Sequence, residues 1–207
     1  DKRALQAGTS HFLGRNFAKG SNITFQNEDG KEAFAWTTSW GTSTRMVGGM
    51  IMTHSDDDGL VVPPRIAPAH VVILPILKKG SDNREVLESA QNLKDALEQK
   101  TFFERNVKVE IDSRDIGGAR GWEWVKKGIP VRVELGPRDI ANNSVFMARR
   151  DESKKQPMDR LEFIDQITHI LTSIQETLFD RAVTYRNENT FEIDDKKEFY
   201  KLYKKSK

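Results

Sequence analysis

The sequence predicts an α/β protein in two parts, an α+β segment built on an antiparallel sheet followed by a larger α/β unit around a mixed sheet. Three observations carry this reading. Around Asn27-Glu28-Asp29-Gly30, a strong turn signal, Ile23, Phe25, Phe34 and Trp36 alternate with polar neighbours as in a hairpin. Beyond residue 70, strand-like and helix-like stretches alternate, the pattern of an α/β unit. Between the two, Pro63, Pro64 and Pro68 interrupt regular structure, because the residue before a proline is pushed out of the helical region. The expected boundary is therefore 66/67.

Bulk composition narrows the classes. At 207 residues the chain has room for one large or two modest domains, and 37% apolar with 31% charged residues describes a folded chain with a polar surface. Net charge is only +2, so any affinity for polyanions must come from local patches. The absence of cysteine excludes disulfides, thiolate catalysis and Cys-ligated zinc, and suits a reducing, cytoplasmic setting. The longest apolar run, Val71 to Leu77, is far shorter than the ~20 residues of a membrane span, and no secretory signal pattern opens the chain. The chain begins mid-pattern without Met and closes on KLYKKSK, as a piece of a longer protein would.

The elements follow in order. The run Met46 to Met52 is ambiguous on periodicity alone and is assigned to a helix after a strand ending near Trp40. Val71 to Ile76 is a buried strand. Asp82 with Glu85 reads as a capping box before a helix that places Val86, Ala90, Leu93 and Leu97 on one face. Val107 to Ile111 is an amphipathic strand, and Gly117 to Gly128 contains a short helix. Val131 to Leu135 and Ser144 to Ala148 are strands separated by the turn signal Gly136-Pro137. A long helix over 159–186 is capped by Asp159 and Glu162, with Leu161, Ile164, Thr168, Leu171, Ile174, Leu178, Ala182 and Tyr185 down one face. From Lys196 the chain is lysine-rich.

Few residues stand out chemically. Arg45, between Ser43-Thr44 and Gly48-Gly49, is either a surface arginine or an anion- or nucleotide-binding one, since a guanidinium grips phosphate bidentately or stacks on a purine. His11 lies in a polar loop before Phe12-Leu13; a lone histidine is more often structural, and His54 and His70 are read so. Asp56-Asp57-Asp58-Gly59 lacks the alternating ligands of a calcium loop and reads as a solvated turn. Gly117-Gly118-Ala119-Arg120-Gly121 matches no phosphate-loop spacing. Arg114, Arg120, Lys126 and Lys127 interleave with Trp122 and Trp124, which suits unpaired RNA bases. The same composition equally describes two core tryptophans beneath a solvated basic helix.

The segments LQAGTSHFLGRNF (5–17), TSWGTSTR (38–45), HSDD (54–57) and GLVVPPR (59–65) resemble the C-terminal part of the catalytic domain of class II prolyl-tRNA synthetases of the archaeal/eukaryotic-like type. GIPVRVELGPRD (128–139) and Arg149-Arg150-Asp151 resemble the anticodon-binding domain of the same enzymes. The resemblance spans about residues 3–186, and the blocks in order are more specific than any one of them. It implies residues 1–66 from a catalytic domain, 67–186 as an anticodon-binding domain and 187–207 as the start of a further C-terminal domain. It implies proline–tRNA ligase chemistry: ATP and proline form prolyl-adenylate, and the prolyl group passes to tRNA(Pro), in a homodimeric cytoplasmic enzyme with Mg2+ bound through ATP.

By the same resemblance Arg45 is the catalytic motif 3 arginine against the adenine and γ-phosphate, and Gln6 and Thr9 contact the adenosine. His11 and the backbone around Ser39, Trp40 and Gly41 line the proline pocket, with Trp40 as an apolar wall. Arg114, Arg120, Trp122, Glu123 and Lys127 are the implied anticodon contacts. Two departures matter. Ser55 stands where the family commonly has glycine, so a turn needing positive φ would be strained there. Ala119-Arg120 replace a usual Glu-Lys pair, which puts base-specific hydrogen bonding there in doubt. No Phe-Arg-x-Glu block of motif 2 and no motif 1 helix occurs, so the chain by itself is expected to be inactive. The competing readings are a synthetase-like RNA-binding module without chemistry, and a glycyl, threonyl or histidyl synthetase, which would share the second domain but explain the first block less readily.

Overall fold

A computed structural model describes residues 4–152 and 154–204. Lys205 and Lys207 of the lysine-rich tail lie outside them. The chain divides into two compact units, 1–52 and 53–207.

In the first unit, β1 (Thr9–Gly14) is followed by α1 (Asn16–Gly20), the hairpin β2 (Thr24–Gln26) and β3 (Glu32–Phe34), β4 (Thr37–Gly41) and then α2 (Arg45–His54). The hairpin and the helix over 46–52 are as predicted. β1 and β4 pair antiparallel, with His11 opposite Ser39, Ser10 opposite Trp40 and Thr9 opposite Gly41. Phe12 stacks on Trp36 at 5.4 Å, and the Arg15 guanidinium lies 4.9 Å from the same indole.

In the second unit, β5 (Val71–Pro75) leads to α3 (Arg84–Glu98), a tight hairpin of β6 (Thr101–Phe102) and β7 (Arg105–Asn106), β8 (Val109–Ile111) and α4 (Ala119–Lys126). Then come β9 (Val131–Leu135), α5 (Pro137–Ala141), β10 (Ser144–Arg149), β11 (Lys155–Asp159), α6 (Arg160–Glu188) and α7 (Lys196–Lys204). The sheet order is β11-β10-β9-β5-β8. β5 runs parallel to β8 and β9, while β10 pairs antiparallel with β9 and β11, so the sheet is mixed as expected. Because strand side chains alternate, β9 sends Val131, Val133 and Leu135 into one core with Ile73, Leu93 and Phe163, beneath α3 and α6. Arg132 and Glu134 face the other way. On that second face Val72, Leu74 and Ile129 form a smaller cluster against Trp124 of α4.

Several expectations change in detail. The capping box at Asp82 is absent. Asn83 is the N-cap without a side-chain cap, its Oδ1 accepting from the Lys78 N–H instead, while Asp82 pairs with Arg84. Asp159 does cap α6, accepting from the Leu161 and Glu162 N–H groups. The buried stripe of α6 is Phe163, Ile167, Ile170, Leu171, Ile174 and Leu178, whereas Leu161 is 65% exposed. The sequence offers two overlapping apolar stripes there, and contact with the sheet selects the one carrying Phe163.

The second unit also starts earlier than the prolines suggest, because residues 56–62 are knitted into it. The Leu60 N–H bonds Lys126 O at 3.0 Å and the Val62 N–H bonds Gly128 O at 3.2 Å. That approach requires glycine: Gly128 has φ 73°, and a Cβ there would lie 2.7 Å from the Leu60 carbonyl. Asp56 is no simple solvated turn, since its carboxylate pairs with the buried Arg150. Ser55 does not adopt positive φ, so the expected strain is absent, although its hydroxyl is buried without a hydrogen-bond partner.

Candidate nucleotide and RNA sites

The residues assigned to the two sites fall in different units. In the first, α2 begins at Arg45, and the Arg45 guanidinium donates to Gln6 Oε1 at 3.0 Å while Gln6 Nε2 donates to Thr9 Oγ1 at 3.2 Å. The three residues given to the nucleotide are thus one hydrogen-bonded chain. Gly49 lets Leu5 lie against α2, since a Cβ at Gly49 would meet Leu5 Cδ2 at 2.9 Å. Thr9, His11, Ser39 and Gly41 share one face of the β1–β4 ladder by register. Trp40 lies opposite Ser10, hence on the other face, and is 78% exposed. Its backbone can line a pocket with His11; its indole is not a wall of the same pocket.

The second site is an open cavity of about 740 Å³ on the second face of the mixed sheet, at the C-terminal end of β5. Leu74, Trp122, Arg132 and Glu134 are among its walls. The register sets Leu74, Glu134 and Phe146 side by side, and likewise Val72, Arg132 and Ala148. Lys155 reaches Glu134 from the edge strand. Arg132 is half-buried and makes no hydrogen bond or ion pair within its own unit's described side chains. Burial, and next the charge of Arg150, pull its pKa below the ordinary arginine value, with Glu134 opposing; an arginine so placed is still charged. A desolvated, unpaired guanidinium facing a cavity is primed for an acceptor from outside.

The basic, aromatic segment around α4 is partly that site and partly its frame. Trp124 is the core tryptophan: its Nε1–H donates to Asp112 Oδ2 at 2.7 Å, and Lys127 Nζ lies 4.4 Å above its ring. Trp122 is 56% exposed and lines the cavity. Arg114 is held by Asp112 and Glu123. Arg120 donates to the carbonyls of Asp112, Arg114 and Pro75, fastening the ends of β8 and β5. The Arg120 guanidinium is therefore a clamp on backbone and not an available base-reading fork. Sequence reasoning missed Arg132 and Glu134, although the signal was present: charges alternating inside the short strand VRVEL must face something once both neighbours pair.

Asp112 is the hub of this frame. The Arg114 guanidinium, aided by the Trp124 N–H and against the cost of burial, holds its carboxyl well below the usual carboxylate range. A carboxyl depressed on folding stabilises the fold above its unfolded pKa of about 4 and loses that contribution as pH falls below it. Asp112→Asn should thus lower the urea midpoint at pH 7 and leave a smaller gap from the parent at pH 3. A gap independent of pH would show that the carboxylate charge is not what matters.

Comparison with known proteins places the second unit first. Residues 70–170, which hold the mixed sheet, match a family described as an anticodon binding domain. Over 206 residues the chain is 50% identical to the proline–tRNA ligase of Bdellovibrio bacteriovorus, covering 98% of this chain and 41% of that protein. It is 52% identical over 200 residues to that of Rhodopirellula baltica, covering 96% and 39%. The prolyl-tRNA synthetase of Cryptosporidium parvum, complexed with halofuginone and AMPPNP, superposes with a TM-score of 0.84 at 36% identity, covering 96% of this chain and 40% of that one. Its complex with L-proline and AMP gives 0.78 at 38% identity, covering 90% and 38%. The chain belongs to the prolyl-tRNA synthetase family and spans about 40% of the length of the relatives it matches.

Proposed function

We propose that this chain forms part of a proline–tRNA ligase, supplying the nucleotide-facing arginine and part of the proline pocket from its first unit and the reading of the tRNA(Pro) anticodon from its second. Arg45, Gln6 and Thr9 would hold ATP, with His11 and the backbone of Ser39, Trp40 and Gly41 beside the proline. The Cryptosporidium relative's complex with L-proline and AMP supports this assignment by similarity. Magnesium would come with the nucleotide's phosphates, and no step here is assigned to a protein-held ion. Homodimeric assembly and a cytoplasmic location accompany this reading.

The observation that carries the RNA half is Arg132, charged, half-buried and unpaired in a cavity floored by Glu134 and edged by the exposed Trp122. A guanidinium fork fits the O6/N7 edge of guanine, a carboxylate accepts from base N–H groups, and an indole stacks on an unpaired base. Of the residues first assigned here, Arg114, Arg120 and Trp122 line the cavity, Arg120 also holding the loop through backbone carbonyls, while Glu123 and Lys127 serve beside it. Arg132→Gln should weaken binding of an RNA hairpin bearing the proline anticodon about tenfold, in line with the ~1–3 kcal/mol of a bidentate base contact. A hairpin with a permuted anticodon should lose little. Equal loss for both RNAs would count against base reading by this residue.

A further inference from the structure

At the opposite end of β5 from the anticodon cavity, the hairpin of β6 and β7 turns on Phe103 and Glu104 with φ 45° and 62°. Phe102 pairs with Arg105, so these two residues are a two-residue loop with both central φ positive, the geometry that ordinarily selects Asn-Gly. A phenylalanine at positive φ is a genuine outlier, and such outliers persist where surrounding structure enforces them, often at functional sites. Here the strain has a visible result: Phe103 stands 50% exposed at the tip, and the Arg65 guanidinium lies 4.3 Å from its ring centroid.

The surroundings of that ring are basic. Arg65, Arg105 and Lys108 line one shallow groove with Phe102, Phe103 and His70. None of the three cations forms an ion pair with a described residue. The groove floor is rigid: His70 Nδ1 accepts the Lys108 backbone N–H at 2.9 Å, and Phe102 packs edge-on against both His70 and Phe103. Burial and then the charge of Lys108 hold His70 toward its neutral form, so it adds no charge. Glu104 is the single acid at the tip. The Arg65 guanidinium is placed over the Phe103 ring and makes no ion pair with a described residue, so its N–H groups can serve phosphate oxygens.

We infer that this groove binds the phosphodiester backbone of RNA, as a second contact for the RNA whose unpaired bases enter the anticodon cavity. The inference rests on the reading that this unit binds tRNA. The two sites lie at either end of the five-residue strand β5, about 17 Å at strand rise, so one folded RNA can engage both. Three cations around an aromatic platform suit a polyanion with a sugar or base beside it, and the sites divide the work that RNA-binding surfaces commonly divide: phosphate contacts position and base contacts specify.

The test uses the 207-residue chain and two RNA hairpins with one stem, bearing the proline anticodon or a permuted one. The triple substitution Arg65→Gln, Arg105→Gln, Lys108→Gln should weaken both hairpins by the same factor, tenfold or more. It should also flatten the dependence of log affinity on log salt by about two to three, close to one per lost phosphate contact. Arg132→Gln should instead reduce the ratio between the hairpins. If the triple variant weakens both RNAs while Arg132→Gln leaves the ratio intact, the groove stands and the anticodon assignment falls. Unchanged affinity and salt slope in the triple variant overturn the groove, as does a loss confined to binding of an acidic protein segment. Phe103→Asn, which suits the turn, should raise the melting temperature yet weaken both hairpins; a higher melting temperature with unchanged affinity would remove the ring from the contact.

Discussion

Replacing Arg150 by methionine should destabilise the second unit by about 3 kcal/mol, seen as a lower urea midpoint with little change in slope. Arg150 is 7% exposed, and its guanidinium makes five hydrogen bonds. Nε donates to the carbonyls of Leu60 and Val125, Nη1 donates to Asp56 Oδ2 at 2.7 Å, and Nη2 donates to Asp56 and the Gly59 carbonyl. These contacts fasten the 56–60 segment to the end of α4 and to β10. Methionine fills much of the volume but leaves the Leu60 carbonyl without a donor and takes one of two bonds from the Val125 and Gly59 carbonyls, which keep the Gly128 and Asp56 N–H groups; a buried group stripped of its partner costs more than the net value of the bond lost. Asp56, whose side chain is 48% exposed, can recover water when its partner goes. Asp56→Asn should therefore cost well under half as much. Equal costs would mean that the ion pair, and not the carbonyl clamp, holds the segment.

How much of this was legible in the sequence follows from the range of the forces involved. Local periodicity found β5, α3, β9, β10 and α6, because a strand buried on both faces reads as a continuous apolar run and a strand with one buried face alternates. It did not find β11, where Lys155-Gln156-Pro157 has no apolar alternation and strand geometry comes from pairing with β10. Nor did it find the β6–β7 hairpin, since Phe-Glu carries none of the turn chemistry that such a loop usually needs. Residue types alone placed the RNA-binding cations around Trp122 and Trp124, and only tertiary bonding shows that Arg114 and Arg120 among them are also held by groups of their own unit. Arg120 looked available because nothing nearby in sequence marks Pro75 as its partner, 45 positions away. Arg132 looked like an ordinary strand residue because only the sheet order puts it beneath a cavity. In the first unit, the spacing from Gln6 to Arg45 carried no signal without the resemblance; the hydrogen bond between them is a product of the β1–β4 register and the start of α2.

That hydrogen bond sets up the largest functional effect expected. In a full-length prolyl-tRNA synthetase carrying this sequence, Arg45→Ala should slow tRNA-independent ATP–pyrophosphate exchange roughly ten- to hundredfold, from a charged contact worth about 1.5–3 kcal/mol in the transition state. In the structure Arg45 is exposed, and its only side-chain partner among the described residues is Gln6, itself bonded to Thr9. Two neutral groups thus hold the guanidinium in place without neutralising it, so its charge remains available to a phosphate while its plane is set for a purine. Arg45→Lys should recover little, because an ammonium lacks both the fork and the stacking face. Gln6→Ala should produce a smaller defect, since it loosens the arginine without removing the charge. His11→Ala separates the two halves of the pocket: His11 lies two residues along the strand face from Thr9 and opposite Ser39, so its loss should raise KM for proline more than KM for ATP. If Arg45→Ala leaves exchange unchanged, Arg45 is a surface arginine hydrogen-bonded to a glutamine, and the nucleotide must be held elsewhere in the protein.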